Sequence, residues 1–323
     1  MKRILLIQTA FLGDVILATP LIAELKRLFP TSEISILVKK GNESLLENNP
    51  HIEEVFTFEK SKGKYKEIFR LVSRFRKYQF ELAINLHRFG SSGLITILSG
   101  AKKTIGFDKN PFSFVYSKRL PHSIGDGTHE VARNLSLIKE FGAVELRRPE
   151  LYPSQANIDK VISYTGGPFF CFAPASVWFT KQLPVEKWIE LAQKKSAEGK
   201  VYLLGGKQDY DMCERIRTSV DNGQIINLCG ELNLLESAAL MSSAARNYVN
   251  DSGPLHIASA MNAPVTAFFC STIPEFGFGP LSDESTILQV KEKLSCRPCG
   301  LHGHVACPKG DFQCGVDIDL SQE

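Results

Sequence analysis

The sequence lacks the features that mark membrane-spanning, secreted or nucleic-acid-binding proteins. It contains no apolar run near the ~20 residues that a membrane-spanning helix needs. Gln8, Thr9, Gly13 and Asp14 interrupt the apolar N-terminal run, which is atypical of a secretion signal. The formal net charge is only +3, too small for a general nucleic-acid binder. We therefore expect a cytoplasmic protein with no nucleic-acid partner.

The first predicted strand–helix turn has too few glycines for a dinucleotide site. "QTAFLGD" (Gln8–Asp14) has one glycine, whereas the dinucleotide fingerprint has three, which argues against NAD or FAD. The turn places Asp14 at the beginning of the first helix. An acid at this position is either a residue favoured by the helix dipole or a general base that removes a proton from a substrate hydroxyl.

Strand-like and helix-like segments alternate along both halves of the chain. With 323 residues, two domains are expected, and repeated strand–helix units predict parallel sheets. The segment 146–168 contains three prolines and two glycines, and we interpret it as the crossing between domains. The predicted fold class is α/β, with Rossmann-like domains over residues 1–155 and 156–323 that face each other. Ligands should bind at the carboxyl ends of the strands, in a cleft between the domains.

"NDSGPLHIASA" (250–260) joins a predicted strand to a predicted helix. Ser252 can cap the helix, Gly253 allows close approach of a ligand, and Pro254 fits the first turn. Such a helix start attracts anions, and His256 could donate to the same anion. The alternative is a well-capped helix with a half-buried histidine. Lys181, after the first strand of the second domain, is either a solvated lysine or a phosphate partner.

The eight cysteines form two groups in the sequence. Four are scattered in mostly apolar surroundings and are predicted to be buried core thiols: Cys171, Cys213, Cys229 and Cys270. The other four follow the spacing C-x₂-C-x₇-C-x₆-C in a tail: Cys296, Cys299, Cys307 and Cys314. One C-x₂-C pair with two further cysteines can hold structural zinc. Free thiols and disulfides remain alternatives, although cytosolic disulfides are disfavoured.

Two acidic triplets and one basic helix have both ordinary and functional interpretations. The triplets "DYD" (209–211) and "DID" (317–319) match the D-x-D pattern of metal-dependent glycosyltransferases, which is a weak pattern because it has only three residues. One carboxylate of "DYD" could instead hold a ribose hydroxyl.

On the predicted helix 64–77, Lys66, Arg70 and Arg74 share a face. That face is either only solvated or binds anionic lipid head groups.

Several longer motifs together resemble one family of glycosyltransferases. They are "LGDVILATP", "GAKKTIGFD", "HEVARNL", "KQLPVEKW" and "NDSGPLHIASAMNAPV". They resemble the heptosyltransferase family (ADP-heptose:lipopolysaccharide heptosyltransferases) in order along nearly the whole chain. The resemblance implies a GT-B fold whose N-terminal domain binds the acceptor and whose C-terminal domain binds the nucleotide sugar. It also implies inverting transfer without a catalytic metal.

The resemblance also implies roles for individual residues. Asp14 corresponds to the family's catalytic base. The donor site would include Lys181, which matches the family's lysine, and the residues that match its donor-binding turn: Asp251, Ser252, Gly253 and His256. Two further residues, Ser176 and Asp209, are also predicted to bind the donor. The acceptor site is predicted to include Gly13, Arg88, Arg119 and Arg133.

The expected partners are ADP-heptose, a lipid-linked anionic glycan acceptor of the lipopolysaccharide core, and the inner-membrane surface. No cofactor is expected for catalysis, and zinc in the 296–314 tail would be structural. The alternatives are another nucleotide-sugar donor for a different surface glycan, or a catalytically silent nucleotide-sugar-binding protein.

Overall fold

The chain forms two compact units in the computed structural model, which describes residues 1–321 and 323 and leaves out the side chain of Lys62. Unit 1 comprises Met1–Ile124 and Thr128–Tyr152. Unit 2 comprises Gly125–Gly127 and Pro153–Glu323. Each unit is built on one parallel sheet, as the alternation of strands and helices predicts.

Unit 1 carries its helices between the strands of a six-stranded sheet. In chain order its elements are β1 (Arg3–Gln8), α1 (Leu12–Ile16), α2 (Thr19–Leu28), β2 (Glu33–Lys39), β3 (Glu54–Phe58), α3 (Lys64–Tyr78), β4 (Leu82–Asn85), α4 (Gly90–Leu98), β5 (Lys103–Phe107), β6 (Lys118–Leu120) and α5 (Glu130–Ser136). The strand order is β3-β2-β1-β4-β5-β6, and all pairs are parallel. The order therefore changes direction between β1 and β4.

The core of unit 1 explains why its strands are nearly continuous apolar runs. Ile4, Leu5, Leu6 and Ile7 in β1 are fully buried, as expected for a parallel strand covered on both faces. On one face, the buried side of α3 packs into a cluster with strand residues; it contributes Ile68, Leu71, Val72 and Phe75. The apolar residues at helical spacing on α3 and the continuous apolar run of β1 thus pack into the same core.

Unit 2 repeats this arrangement. Its elements are α6 (Gln155–Val161), β7 (Phe169–Ala173), α7 (Val185–Ser196), β8 (Lys200–Leu203), α8 (Tyr210–Val220), β9 (Ile225–Asn227), α9 (Leu234–Ser242), β10 (Arg246–Asn250), α10 (Gly253–Ala260), β11 (Val265–Phe269), β12 (Ser285–Gln289) and α11 (Gln313–Val316). The strand order is β12-β11-β10-β7-β8-β9, again all parallel. Here the order changes direction between β10 and β7.

Aromatic side chains and buried thiols fill the core of unit 2. The ring of Trp188 lies 5.4 Å from that of Phe172 and 5.2 Å from that of Phe268. The four scattered cysteines are at most 4% exposed, which confirms their prediction as core thiols. Burial raises the pKa of the Cys171 and Cys270 thiols far above the usual range, so these thiols are poor nucleophiles.

Local signals in unit 2 have mixed outcomes. Asn233, followed three positions later by Glu236, predicts a capping box in the sequence. The structure confirms it at the start of α9, because Asn233 Oδ1 accepts from Glu236 N at 2.9 Å and Asn233 N donates to Glu236 Oε2 at 2.8 Å. The segment interpreted as a crossing between domains contains α6, which packs against α9. The prolines of this segment favour an irregular connection over a helix in the sequence analysis.

Among the described residues, no helix is both long enough and apolar enough to cross a membrane.

Candidate functional site

The predicted donor residues of unit 2 lie at the carboxyl edge of its sheet. Lys181 follows β7, Asp209 follows β8, and the 251–253 turn follows β10. Because β7 and β10 are neighbours at the point where the strand order changes direction, Lys181 and the turn flank the position where open α/β sheets usually bind ligands.

Lys181 and Asp251 form a largely buried ion pair at this point. Lys181 Nζ lies 2.7 Å from Asp251 Oδ2, with side-chain exposures of 16% and 7%. Thr272 Oγ1 donates to the same oxygen at 2.6 Å. An ammonium group has three N–H donors, so the bond to Asp251 still allows contacts with an anion. The carboxylate thus holds the lysine in place.

Thr272 was not predicted, although the sequence carries a signal for it. It comes shortly after β11, as the other site residues come shortly after their own strands. A polar side chain just beyond the carboxyl end of a buried parallel strand is placed at the ligand-binding edge. Applying that rule to all strands of unit 2 would have identified this hydroxyl.

The beginning of α10 differs from the prediction in its cap. The Ser252 hydroxyl donates to the Asn250 carbonyl at 3.4 Å, and within the described residues no side chain caps this helix. Gly253 is the first helical residue and Pro254 lies in the first turn, as predicted. His256 is buried, at 5% exposure, with its ring 6.4 Å from that of Phe278. The expected capping by Ser252 is therefore wrong, and the positive end of α10 keeps its attraction for an anion.

Asp209 and Ser176 lie in the loops after β8 and β7. Asp209 Oδ2 accepts hydrogen bonds from Gly206 N at 2.8 Å and from Gln208 Nε2 at 3.1 Å. This carboxylate therefore shapes the glycine turn that precedes α8. Ser176 is partly exposed, and its carbonyl accepts from Gln182 Nε2 at 2.6 Å. Their roles in donor binding remain predictions.

In unit 1, Asp14 lies in the first turn of α1, directly after Gly13. Its Oδ2 accepts a hydrogen bond from Phe11 N at 3.1 Å, so the acid stabilises the helix start. This bond also orients the partly exposed carboxylate. A structural role and a role as general base are therefore compatible in this geometry.

Beside β1, the structure shows a buried histidine that the sequence analysis had not singled out. His87 follows β4, and its Nδ1 lies 2.8 Å from the Thr9 hydroxyl, which follows β1. Burial, with smaller contributions from Lys60 and Arg88, lowers the pKa of His87 to about 4. The imidazole is therefore neutral near pH 7. Thr9 and His87 lie where the strand order of unit 1 changes direction.

The three arginines predicted for the acceptor site have different surroundings. The Arg88 guanidinium lies over the Phe89 ring at 5.5 Å. Arg119 is exposed on β6. Arg133 is only 5% exposed, and its Nε donates to Glu130 Oε2 at 2.8 Å. Arg88 and Arg119 are thus more accessible to an anion than Arg133. The roles of all three arginines at the acceptor site stay predictions.

The basic face predicted on α3 is largely neutralised by carboxylates of unit 1. Arg70 NH2 lies 2.6 Å from Glu67 Oε1, and Arg74 pairs with Glu54. The same helix exposes Tyr65 and Phe69, at 66% and 65%. These aromatic rings are four positions apart and therefore share a face.

The four tail cysteines line one small cavity of about 30 Å³, together with Thr180 and Ser271. Cys314 is buried and the other three are partly exposed. No three or more His, Cys, Asp or Glu side chains within residues 1–321 and 323 are arranged as a metal ligand set. Structural zinc in the tail therefore stays a prediction. In the "DID" triplet, Asp319 pairs with Lys291 at 2.8 Å.

Comparisons with known proteins show which family this chain resembles. The family model for glycosyltransferase family 9 (heptosyltransferase) matches residues 68–304. Lipooligosaccharide heptosyltransferase 2 of Haemophilus ducreyi is 25% identical over 316 residues, covering 89% of this chain and 88% of that protein.

Solved structures show the same fold. The family 9 glycosyltransferase from Veillonella parvula matches with a TM-score of 0.81 and 21% identity, covering 89% of this chain and 85% of that chain. The Escherichia coli ADP-heptose lipopolysaccharide heptosyltransferase II matches with a TM-score of 0.78 and 21% identity, covering 93% and 96%. These matches confirm the predicted GT-B fold class. Since the family model covers most of the chain, this protein is a glycosyltransferase and belongs to glycosyltransferase family 9, the heptosyltransferase family.

Proposed function

We propose that this enzyme transfers heptose from ADP-heptose to the inner core of a lipopolysaccharide acceptor, with inversion and without a catalytic metal. The family assignment and the names of the relatives support the sugar and the acceptor. Unit 2 would bind the nucleotide sugar, and unit 1 would bind the acceptor.

The observation that carries the proposal is the Lys181–Asp251 pair beside the start of α10. A departing nucleoside diphosphate needs positive charge near its oxygens as the sugar–phosphate bond breaks. Lys181 supplies an ammonium held at 2.7 Å from Asp251. The helix start supplies its positive dipole end and the backbone at Gly253. Together they provide the charge stabilisation that a divalent metal provides in other transferases.

Asp14 would act as the general base in unit 1. The acceptor hydroxyl must lose a proton as it attacks the anomeric carbon, and a carboxylate within hydrogen-bond reach can accept it. Attack from the face opposite the leaving diphosphate inverts the anomeric carbon. The bond from Phe11 N keeps the carboxylate oriented before the acceptor binds.

The proposal includes contact between α3 and the inner face of the inner membrane. Tyr65 and Phe69 are exposed, and Lys64 Nζ lies 5.6 Å from the centre of the Tyr65 ring. Exposed aromatic rings next to lysines suit the interface of an anionic bilayer. Because Arg70 and Arg74 pair within unit 1, the rings and nearby lysines would make the contact in place of the predicted arginines.

The proposal is tested by measuring transfer of heptose from ADP-heptose to a heptose-free lipopolysaccharide core, with wild-type protein and the Asp14→Asn variant. We expect wild-type turnover, and a loss of at least ~100-fold in kcat for the variant, because an amide cannot accept the proton. Calorimetry should show ADP affinity within about twofold of wild type, since unit 2 is unchanged. Asp159→Asn, an exposed position on α6, is the control.

Other outcomes point to the alternatives. Turnover only with a different nucleotide sugar would replace the proposed donor. Saturable ADP-heptose binding without turnover, across a panel of acceptors, would identify a silent binding protein. Near-normal turnover of Asp14→Asn would exclude Asp14 as the base.

A further inference from the structure

The cysteine-rich segment 296–314 is hydrogen-bonded to the turn that carries Lys181. Thr180 N donates to the His304 carbonyl at 3.1 Å, and His304 N donates back to Thr180 Oγ1 at 2.8 Å. Cys299 N donates to the Ser271 carbonyl at 2.8 Å, and Ser271 N donates to the Thr180 carbonyl at 3.2 Å. Thr180 is only 1% exposed. These hydrogen bonds therefore connect the tail to the turn before α7.

Gly303 lies close to this turn. A Cβ atom at Gly303 would lie 2.7 Å from Thr180 Oγ1, 3.0 Å from Ser271 Oγ and 3.2 Å from Lys181 Cγ. Real Cβ atoms are not found at the first of these distances, so a side chain here would have to displace the turn. Gly303 also has a φ of +74°, a conformation that glycine adopts without strain.

The contacts continue from the tail to the charged pair. Gly303 packs against Thr180 and the Lys181 side chain, Lys181 pairs with Asp251, and Asp251 accepts from Thr272. Thr180 and Ser271 also form part of the wall of the cavity that the four tail cysteines line. Movement of the tail would therefore shift Lys181 relative to the start of α10.

We propose that Gly303, together with the segment 296–314, positions Lys181 for the donor diphosphate, so that the packing of this segment determines donor affinity. This inference rests on the proposed function, in which Lys181 binds the diphosphate. It gives the cysteine-rich tail a role in binding that does not depend on what its thiols hold.

Two glycine variants test the inference. Gly303→Ala adds the clashing methyl group. Gly300→Ala is the matched control, because Gly300 lies in the same segment with a φ of +68° and would place its Cβ more than 4 Å from any surrounding atom. Both variants carry the backbone strain of a non-glycine residue at positive φ. The difference between them therefore isolates the contact with the lysine turn.

We expect Gly303→Ala to weaken ADP binding in calorimetry by about tenfold relative to Gly300→Ala. The donor KM should rise in parallel, and kcat at saturating donor should also fall relative to the control, because a displaced Lys181 would stabilise the leaving diphosphate less well as the sugar–phosphate bond breaks. Thermal unfolding of both variants checks that each is folded. Equal ADP affinity in the two variants would overturn the inference.

Thr180→Val provides a second route should Gly303→Ala fail to fold. It removes the oxygen that accepts from His304 N while keeping the side-chain shape. ADP should bind it more weakly than wild type; unchanged affinity would argue against positioning by the tail.

Hydrogen exchange and one lysine variant separate this inference from the proposed function. Because coupling between sites is reciprocal, ADP should slow amide exchange around His304 in the wild-type protein. Lys181→Ala tests the donor site itself. Unchanged ADP affinity in Lys181→Ala would refute the proposed diphosphate site. Weaker binding in Lys181→Ala, together with exchange near His304 that ADP does not alter, would refute only the role of the tail.

Discussion

At the scale of single residues, the site of unit 2 combines charges that would be unfavourable if buried alone. Lys181 and Asp251 are both largely buried, and their contact offsets the loss of water around each charge. Removing either partner leaves an uncompensated buried charge, an effect of ~3–5 kcal/mol. An incoming diphosphate would add a second anion beside the ammonium. The lysine is therefore oriented before the donor binds.

His87 leads to a prediction about pH. Burial lowers its folded-state pKa to about 4, whereas an unfolded histidine titrates near ~6.5. Between these values the unfolded chain binds the extra proton, so the free energy of unfolding falls as pH decreases from about 6.5 to 4.

The measurement is urea unfolding across this pH window. His87→Asn should show a shallower decrease in unfolding free energy than wild type, by a few kcal/mol at most. His51→Asn, in the loop before β3, is the control and should follow the wild-type curve. Parallel curves for wild type and His87→Asn would contradict the assigned pKa.

At the scale of elements, strand ends and helix starts place the chemistry. Strand β10 ends at Asn250 and α10 begins at Gly253, so only two residues connect them. Asn250 is itself fixed, because its Oδ1 accepts from Leu183 N at 2.9 Å and its Nδ2 donates to the Pro174 carbonyl at 2.7 Å. These bonds connect the ends of β10 and β7. The 251–253 turn is consequently held by the rigid sheet.

Helix α3 leads to a prediction about membrane binding. Phe69→Asp replaces an exposed ring with a charge that an anionic bilayer repels, so the fraction of protein bound to vesicles of phosphatidylglycerol and phosphatidylethanolamine should fall about tenfold. Sedimentation with the vesicles at low salt measures it. Ile162→Asp, an exposed apolar position of unit 2, should bind like wild type. Equal vesicle binding by Phe69→Asp and wild type would contradict the proposed membrane contact through α3.

At the scale of the whole molecule, two similar parallel sheets carry different chemistry. In unit 1, the edge where the strand order changes direction carries Asp14, Thr9 and His87; in unit 2, the corresponding edge carries Lys181 and Asp251. The residues of unit 1 can accept a proton, and those of unit 2 can neutralise the charge of a diphosphate. This division matches the two requirements of glycosyl transfer.

Chelation tests this division on the intact enzyme. Because Lys181 and the start of α10 would stabilise the leaving diphosphate, transfer in excess EDTA should stay within about twofold of the untreated rate. Elemental analysis of the same sample reports whether the tail carries zinc. Activity that disappears with EDTA and returns with Mg²⁺ or Mn²⁺ would show that the chemistry depends on a metal.

Much of the fold could be predicted because its determinants are local. Alternating apolar runs and amphipathic segments predicted parallel sheets, and the capping box at Asn233 marked a helix start correctly. The short edge strands β6 and β12 were missed. They are only partly buried, with exposed positions, so their sequences lack the continuous apolar pattern of central strands.

The sequence by itself determined the alternation of strands and helices, the buried cysteines, and the placement of polar residues just after strands. Only the tertiary structure decided which of those residues meet. Lys181 reaches Asp251 because β7 and β10 are neighbours in the sheet. Thr180 and His304, 124 positions apart, are joined by the path of the tail. Periodicity and capping depend on near neighbours in the chain, whereas strand order and tail packing depend on the burial of the whole core, which no local pattern encodes.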